Sequence, residues 1–459
     1  MLRQEDLDYL TNHLPTSKFP YSSQALPVNA LLDALLRPKG DIYDSEGTAY
    51  LRWDFQPERA VDHVVTGDAA SPGGQWVQDG TDARWDIGTL SYASMLSLPG
   101  YSFAQHYLET TKETLPPFSR PSRRQVAEYF QSYPSRVGIQ DSIRCRQSVS
   151  GIRRTADGFH IKSHDLRCKY LVLATGVFSE LPSAPPLLQP ILRLPATTSL
   201  PENPEAALLV VGSGFSAADV ISSCSPGQKI VHIYQWNPAV SPSPLRACHQ
   251  QAYPEYAAVY RRMKRAARKR ADHGRSVAKT SKLQEDVPDA IESFELHAKS
   301  NYEGFANASI ADVHIEEGHT AIVTFLLANG ETRIKRRINR LEYVIGRRGS
   351  LAYLCKSLRQ EIHPDLAAHP TLSGQTLREK IWDADGMEVT SDVFAIGSLT
   401  GDSLIRFAFG SVVSTAGEIT KRMRGRKGRR KTDGNREQVE EGMSWEETSG
   451  DGKESTIFL

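Results

Sequence analysis

The chain has no pair of cysteines close enough to form a C-x-x-C. Its five, Cys145, Cys168, Cys224, Cys248 and Cys355, are odd in number and widely spaced. That pattern argues against a disulfide scaffold, a zinc ribbon and a dithiol redox centre, and predicts free thiols in a reducing compartment without a metal site. Neither charge is in excess: 55 Lys+Arg against 54 Asp+Glu leave +1. No global field therefore draws the chain to nucleic acid or to an anionic membrane. No window reaches the ~18 consecutive apolar residues of a membrane span. The opening MLRQEDLDYLTNHLPTSKFP carries three acids in its first eight residues and lacks the apolar core of a signal peptide. A soluble, cytoplasmic protein is expected.

What is there is ordinary globular material. The 459 residues are 39% hydrophobic and 24% charged, with 33 glycines. That is enough for a real core and for roughly two to four domains.

Helical spacing is visible at Ala30–Leu36, and Pro121-Ser122 ahead of Arg123–Phe130 predicts a capped helix start. From Cys145 to Tyr170 the pattern turns to short strands, with Asp157-Gly158 as a hairpin turn. Two buried-strand signals end in glycine: Lys169–Ala174 runs into Thr175-Gly176, and Ala207–Val211 runs into Gly212-Ser213-Gly214. Between them the Pro-rich stretch Leu181–Pro204 is read as an interdomain linker. Helix Phe215–Cys224 and strand Lys229–Tyr234 follow, completing a βαβ unit of a parallel sheet. The basic run Arg261–Lys282 reads as an exposed helix face plus loop, with a phosphate-binding patch as the alternative. Ile310–Leu327 and Arg333–Ile345 return to strand-like alternation, Val393–Ile396 is a last strand before Gly397, and Ser403–Met423 a terminal helix. Residues 424–459 are expected to form a disordered charged tail, whose 424–431 basic run is a candidate nuclear localisation signal.

The most informative segment is Gly212-Ser213-Gly214-Phe215-Ser216-Ala217, a G-x-G-x-x-A turn leaving an apolar strand and entering a helix. Gly212 permits the tight turn, Gly214 lets the backbone approach a pyrophosphate, and Ala217 keeps the helix close to the sheet. Ser216 lies in the first helical turn, whose free N–H groups point at the phosphates. An NAD site wants an acid at the end of the next strand. Gln235-Trp236-Asn237 supplies none, which favours NADPH, with Arg246 and the basic run beyond it as candidate cations for a 2′-phosphate.

Three further segments carry a family resemblance. Lys169–Pro185 (KYLVLATGVFSELPSAP) resembles the A-T-G strand of flavin-dependent monooxygenases, Ser71–Trp76 (SPGGQW) their flavin-covering G-G-x-W, and Ser391–Gly410 the closing FAD motif of two-dinucleotide-domain flavoproteins. With Tyr343–Leu354 added, the order of motifs is most similar to the oxidative stress-induced growth inhibitor family, related to flavin-containing and N-hydroxylating monooxygenases. The similarity extends over roughly residues 20–420.

The resemblance implies an α/β two-dinucleotide-binding-domain flavoprotein. An NADPH-binding, Rossmann-like domain (186–335) would be inserted in a split FAD domain (1–185 and 336–423), so that segments before residue 180 and after 390 share one core. FAD and NADPH are the implied cofactors and a small organic molecule the substrate. Gly73, Gly74, Trp76, Thr175, Gly176, Gly397 and Asp402 would face the flavin, with Ser91 or Ser94 as nearby polar groups. Trp76 taken alone would be read as an ordinary half-buried tryptophan. No catalytic acid, base or nucleophile stands out, because the flavin would carry the reaction.

Three departures qualify this. The strand–G-x-G-x-x-G–helix that opens such proteins is absent, so weak flavin binding is expected of the chain as it stands. No F-x-G-x-x-x-H precedes Gly212. Ser398 follows Gly397 where disulfide-reductase relatives carry Asp. A regulatory or stress-response protein with weak or no turnover is therefore the alternative to a monooxygenase.

Overall fold

A computed structural model describes residues 25–38, 49–77, 85–194, 206–250, 252–280, 301–316, 320–382, 386–437 and 456–458. In chain order its strands are β1 (His63–Thr66), β2 (Ile143–Arg144), β3 (Ile152–Thr155), β4 (Gly158–Ile161), β5 (Leu166–Cys168), β6 (Tyr170–Leu173), β7 (Ala207–Val211), β8 (Ile230–Tyr234), β9 (Tyr302–Ala306), β10 (Ser309–Glu316), β11 (Thr320–Leu326), β12 (Arg333–Tyr343), β13 (Gly349–Ser350), β14 (Thr371–Leu372), β15 (Glu388–Thr390), β16 (Val393–Ala395) and β17 (Thr456–Phe458). The class is α/β, as expected: parallel strands form the centre of two six-stranded sheets.

The chain divides into two compact units. The first comprises residues 1–79, 88–180 and 347–459; the second comprises 80–87 and 181–346. Sequence-distant segments meet in the first unit's core, where Ile152, Phe159 and the fully buried β6 pack with Leu351, Phe394 and Ile419. Strand β6 (YLVL) is apolar at every position because a central parallel strand is covered on both faces. The hairpin expected at Asp157-Gly158 joins β3 to β4, with Gly158 at φ +143°. Helix Arg123–Arg136 opens on the expected cap: the Ser122 hydroxyl accepts from the Gln125 N–H, and the Gln125 side chain accepts from the Ser122 N–H.

The first sheet runs β15-β16-β6-β17-β1-β2, with β15 antiparallel at its edge and the rest parallel. Its parallel part, β2-β1-β17-β6-β16, matches strands 3-2-1-4-5 of a dinucleotide-binding sheet in space but not in chain order, because position 1 there belongs to the strand that opens the fold. Here that position is held by β17. Its Thr456, Ile457 and Phe458 pair with His63, Val64 and Val65 on one side and with Tyr170, Leu171 and Val172 on the other.

The second sheet runs β10-β11-β12-β7-β8-β9, with β12, β7, β8 and β9 parallel and β10–β12 an antiparallel meander.

Four sequence expectations change. The alternation over Ile310–Leu327 is two strands, because the chain reverses between Glu316 and Thr320. Strand β12 stays in the second unit's sheet through Tyr343, past the expected boundary at 335, because its second half pairs with β7. The terminal helix starts at Phe409, a 3₁₀ turn Ile405–Phe407 preceding it, and runs to Glu437. The stretch from 424, expected as a disordered tail, therefore begins in that helix and contains β17; 438–455 lie outside the described residues, as do 195–205 of the Pro-rich stretch.

Candidate functional site

The second unit presents the G-x-G-x-x-A turn where the sequence put it. Strand β7 is nearly all buried and flanked on both sides by parallel strands, so the turn that follows it lies at the carboxyl end of the parallel strands. There the chain passes Gly212, Ser213 and Gly214 into helix Phe215–Ser223, with Ala217 and Ala218 buried against the sheet and Ser216 half-buried in the first turn.

The two glycines do different jobs. Gly212 sits at φ +149°, and a Cβ there would be driven into the backbone carbonyl of Val344. The fold itself requires that glycine. Gly214 has an ordinary extended backbone, φ −101° and ψ −166°, and a Cβ on it would meet nothing within 4 Å. It is also the N-cap of a helix that no side chain caps. The start of that helix is thus left open, with orphan N–H groups in the first turn.

Beneath the turn lies His232, wholly buried in β8. Its Nε2 is 2.6 Å from the Gly212 carbonyl and its Nδ1 2.8 Å from the Tyr302 hydroxyl. A carbonyl can only accept, so Nε2 carries the proton, and in the neutral ring Nδ1 then accepts from Tyr302. Burial pushes the imidazole down to about 4 from 6.5, against the opposing pull of the Gly212 carbonyl. Below pH 6.5 the unfolded chain gains a proton that the folded chain refuses, so stability falls as pH falls through this window. Unfolding in urea should show about 2 kcal/mol lost from His232 between pH 6.5 and 5, and a His232→Leu variant should lack that component. Beside the turn, the Ser243 hydroxyl donates to the Ser213 carbonyl at 2.6 Å and accepts from the Leu245 N–H.

At the end of β8, Gln235 is exposed and the Trp236 ring packs on Tyr260 at 5.6 Å, while the Trp236 backbone N–H donates to the Asn307 Oδ1. Arg246 lies on the 3₁₀ turn Pro244–Ala247 and donates to the Pro238 carbonyl. The basic run falls on helix Pro254–Thr280, except for 281 and 282, which lie outside the described residues.

In the first unit, the ends of β6 and β16 bring Thr175 and Gly176 together with Gly397 and Ser398. The Ser398 hydroxyl accepts from the Val177 N–H, the Thr175 hydroxyl lies 3.1 Å from that of Tyr353, and Gly397 (φ +66°) borders open space. Gly73 (φ +108°) and Gly74 enter the 3₁₀ turn that carries Trp76, which lies edge-on to Phe130 at 6.1 Å. Ser91 is buried, its carbonyl accepting from Thr89, and Ser94 sits on the short helix Ala93–Leu96. Asp402 is buried and its carboxylate is taken up within the protein. It accepts from the Leu26 N–H, the Asn29 amide and Arg378 at 2.6–3.0 Å. What Asp402 visibly holds is helix Pro27–Leu36.

Neither His232 nor Ser243 belongs to a motif of the sequence. The first has a signal: one histidine in the middle of the otherwise apolar run Ile230–Tyr234. Ser243 has none, because a serine in a Pro/Ser-rich loop is unremarkable until its partner is known.

No protein-family model matches the chain. Among curated proteins, it is 25% identical to mouse oxidative stress-induced growth inhibitor 1, over 91% of this chain and 85% of that one. It is 24% identical to the Caenorhabditis elegans oxidative stress induced growth inhibitor homolog, over 87% and 80%. Against human oxidative stress-induced growth inhibitor 2 it is 24% identical over 56% of this chain, and spans only 58% of that relative's length. Among solved structures, bacillithiol disulfide reductase Bdr (YpdA) from Bacillus cereus is similar with a TM-score of 0.47 and 14% identity, covering 86% of this chain and 96% of that one. A flavin-containing monooxygenase from Stenotrophomonas maltophilia gives 0.44 and 16%, covering 80% and 98%. The curated proteins that this chain resembles are the oxidative stress-induced growth inhibitors, the family to which its motifs pointed.

Proposed function

We propose that the turn Gly212–Ala217 binds the pyrophosphate of NADPH, and that the chain is an NADPH-dependent, flavin-monooxygenase-like oxidoreductase acting on a small organic substrate. Gly214 carries the reading. Nothing in the fold needs a glycine there, since its backbone is ordinary and a Cβ would meet nothing. A residue kept bare in front of an uncapped helix start is what a close-approaching pyrophosphate requires. With no acid at Gln235–Asn237, a 2′-phosphate is tolerated, and Arg246 or the basic helix behind it supplies the cation. The relatives' names refer to oxidative stress, a setting in which an NADPH-binding unit has an evident use.

Flavin suits the first unit less well. Gly73, Gly74, Trp76, Thr175, Gly176 and Gly397 are the residues that would hold FAD, and open space at Gly74 and Gly397 is compatible with that. The central sheet position that should lead into the phosphate-binding turn, however, is held by β17. This favours the second reading, a regulatory or stress-response protein with weak or no turnover.

Both parts are testable on the purified chain. NADPH should bind at least about tenfold more tightly than NADH, the effect of one modest phosphate contact. Gly214→Val should lose NADPH binding while unfolding like the parent, and a folded variant with unchanged affinity would remove the dinucleotide site. Flavin should be well below stoichiometric, and a yellow protein with one flavin per chain would overturn that part.

A further inference from the structure

We infer that His232 and Ser243 are positioning residues of the pyrophosphate site, holding the Gly212 and Ser213 carbonyls so that the Ser213 and Gly214 N–H groups face the ligand. The inference rests on the dinucleotide reading above and adds to it the groups that aim the donors.

The argument begins with the peptide unit. In a planar trans peptide the C=O and the following N–H point in opposite directions, so fixing one fixes the other. His232 Nε2–H donates to the Gly212 carbonyl at 2.6 Å, and His232 is wholly buried beneath the turn. The Ser213 N–H is thereby turned away from the interior. Ser243 donates to the Ser213 carbonyl at 2.6 Å, which turns the Gly214 N–H to the side opposite Ser243. Two successive peptides are thus oriented by two side chains from separate elements, β8 and the turn before Leu245. No protein group among the described residues accepts from the Ser213 or Gly214 N–H.

The supports are themselves fixed. The Tyr302 hydroxyl, from β9, donates to His232 Nδ1, which suits the tautomer that the Gly212 carbonyl imposes and holds the ring from its other side. The Tyr302 and Tyr234 rings pack against the imidazole, with centroids 5.8 and 4.8 Å away. Ser243 also accepts from the Leu245 N–H, which holds its oxygen in place. Leucine in place of His232 would fill much of the same volume and lose the donor. Glutamine can place an amide N–H where Nε2 stands, so it should restore the aim of the first peptide.

The test uses the full chain and two probes, NADPH and adenosine 2′-monophosphate, which lacks the pyrophosphate. His232→Leu and Ser243→Ala should each weaken NADPH binding about tenfold, the worth of one misdirected charge-assisted donor. Binding of adenosine 2′-monophosphate should be unchanged in both, and His232→Gln should recover NADPH affinity. If the parent chain binds no NADPH, the dinucleotide reading fails. If the parent binds and both folded variants bind equally well, the positioning roles fail while that reading stands. Parallel loss of both probes would reduce the two residues to structural supports and also overturn the inference. Ser243→Ala lies in a loop, so it keeps the test available if His232→Leu does not fold.

Discussion

Gly410→Val is expected to destabilise the first unit by about 3 kcal/mol or more, the upper end for side chains forced into packed space. Gly410 is the second residue of helix Phe409–Glu437, and the position of its missing Cβ is filled by the backbone of Val28 and Asn29. The two helices touch backbone to backbone at that point, and the Ser411 N–H donates to the Asn29 side chain at 2.6 Å. No rotamer change relieves a contact with a carbonyl. The helices must separate, and with them the interlocked Asn29 and Asp402. Urea unfolding followed by tryptophan fluorescence would measure the loss, and an unchanged midpoint would mean that the crossing is looser than described.

A second large effect is expected at Asp33. Its carboxylate receives Arg406 through both Nε and an Nη, and Arg37 from one turn further along its own helix. Asp33 and Arg406 are 6% and 8% exposed, so neither can turn to water if its partner is lost. Asp33→Ala should cost about 3–5 kcal/mol, the cost of removing one partner from a buried ion pair. The double variant Asp33→Leu, Arg406→Leu should recover most of that, since well-packed apolar pairs often replace buried ion pairs at little cost. Equal losses in the single and double variants would place the effect in packing rather than charge.

Much of the second unit was legible because its signals are local. An apolar run such as Ala207–Val211, a glycine pair and a small residue at Ala217 are contiguous, and each has a steric reason that needs no tertiary knowledge. The first unit was legible mainly through resemblance. Its buried polar groups pair across the chain, Asp402 with Asn29 and Arg406 with Asp33, and such partners have no sequence spacing to betray them. The role of β17 could not be read at all. Thr456-Ile457-Phe458 is too short for a periodicity and lies behind a charged stretch that lacks apolar surface. The supports of the G-x-G turn were hidden for another reason: His232 and Ser243 act on backbone carbonyls, which every residue has.

Strand β17 also sets an order of events during synthesis. Strands β1 and β6 leave the ribosome early, yet both need Thr456–Phe458 between them before the sheet can close. The inserted unit, whose sheet lies within residues 207–343, can close while translation continues. The first unit has to wait, with two parallel edges unpaired and a very long loop to close at the end. A nascent chain stalled before residue 456 would carry one finished unit and one half-built sheet, the form of this protein most in need of a chaperone.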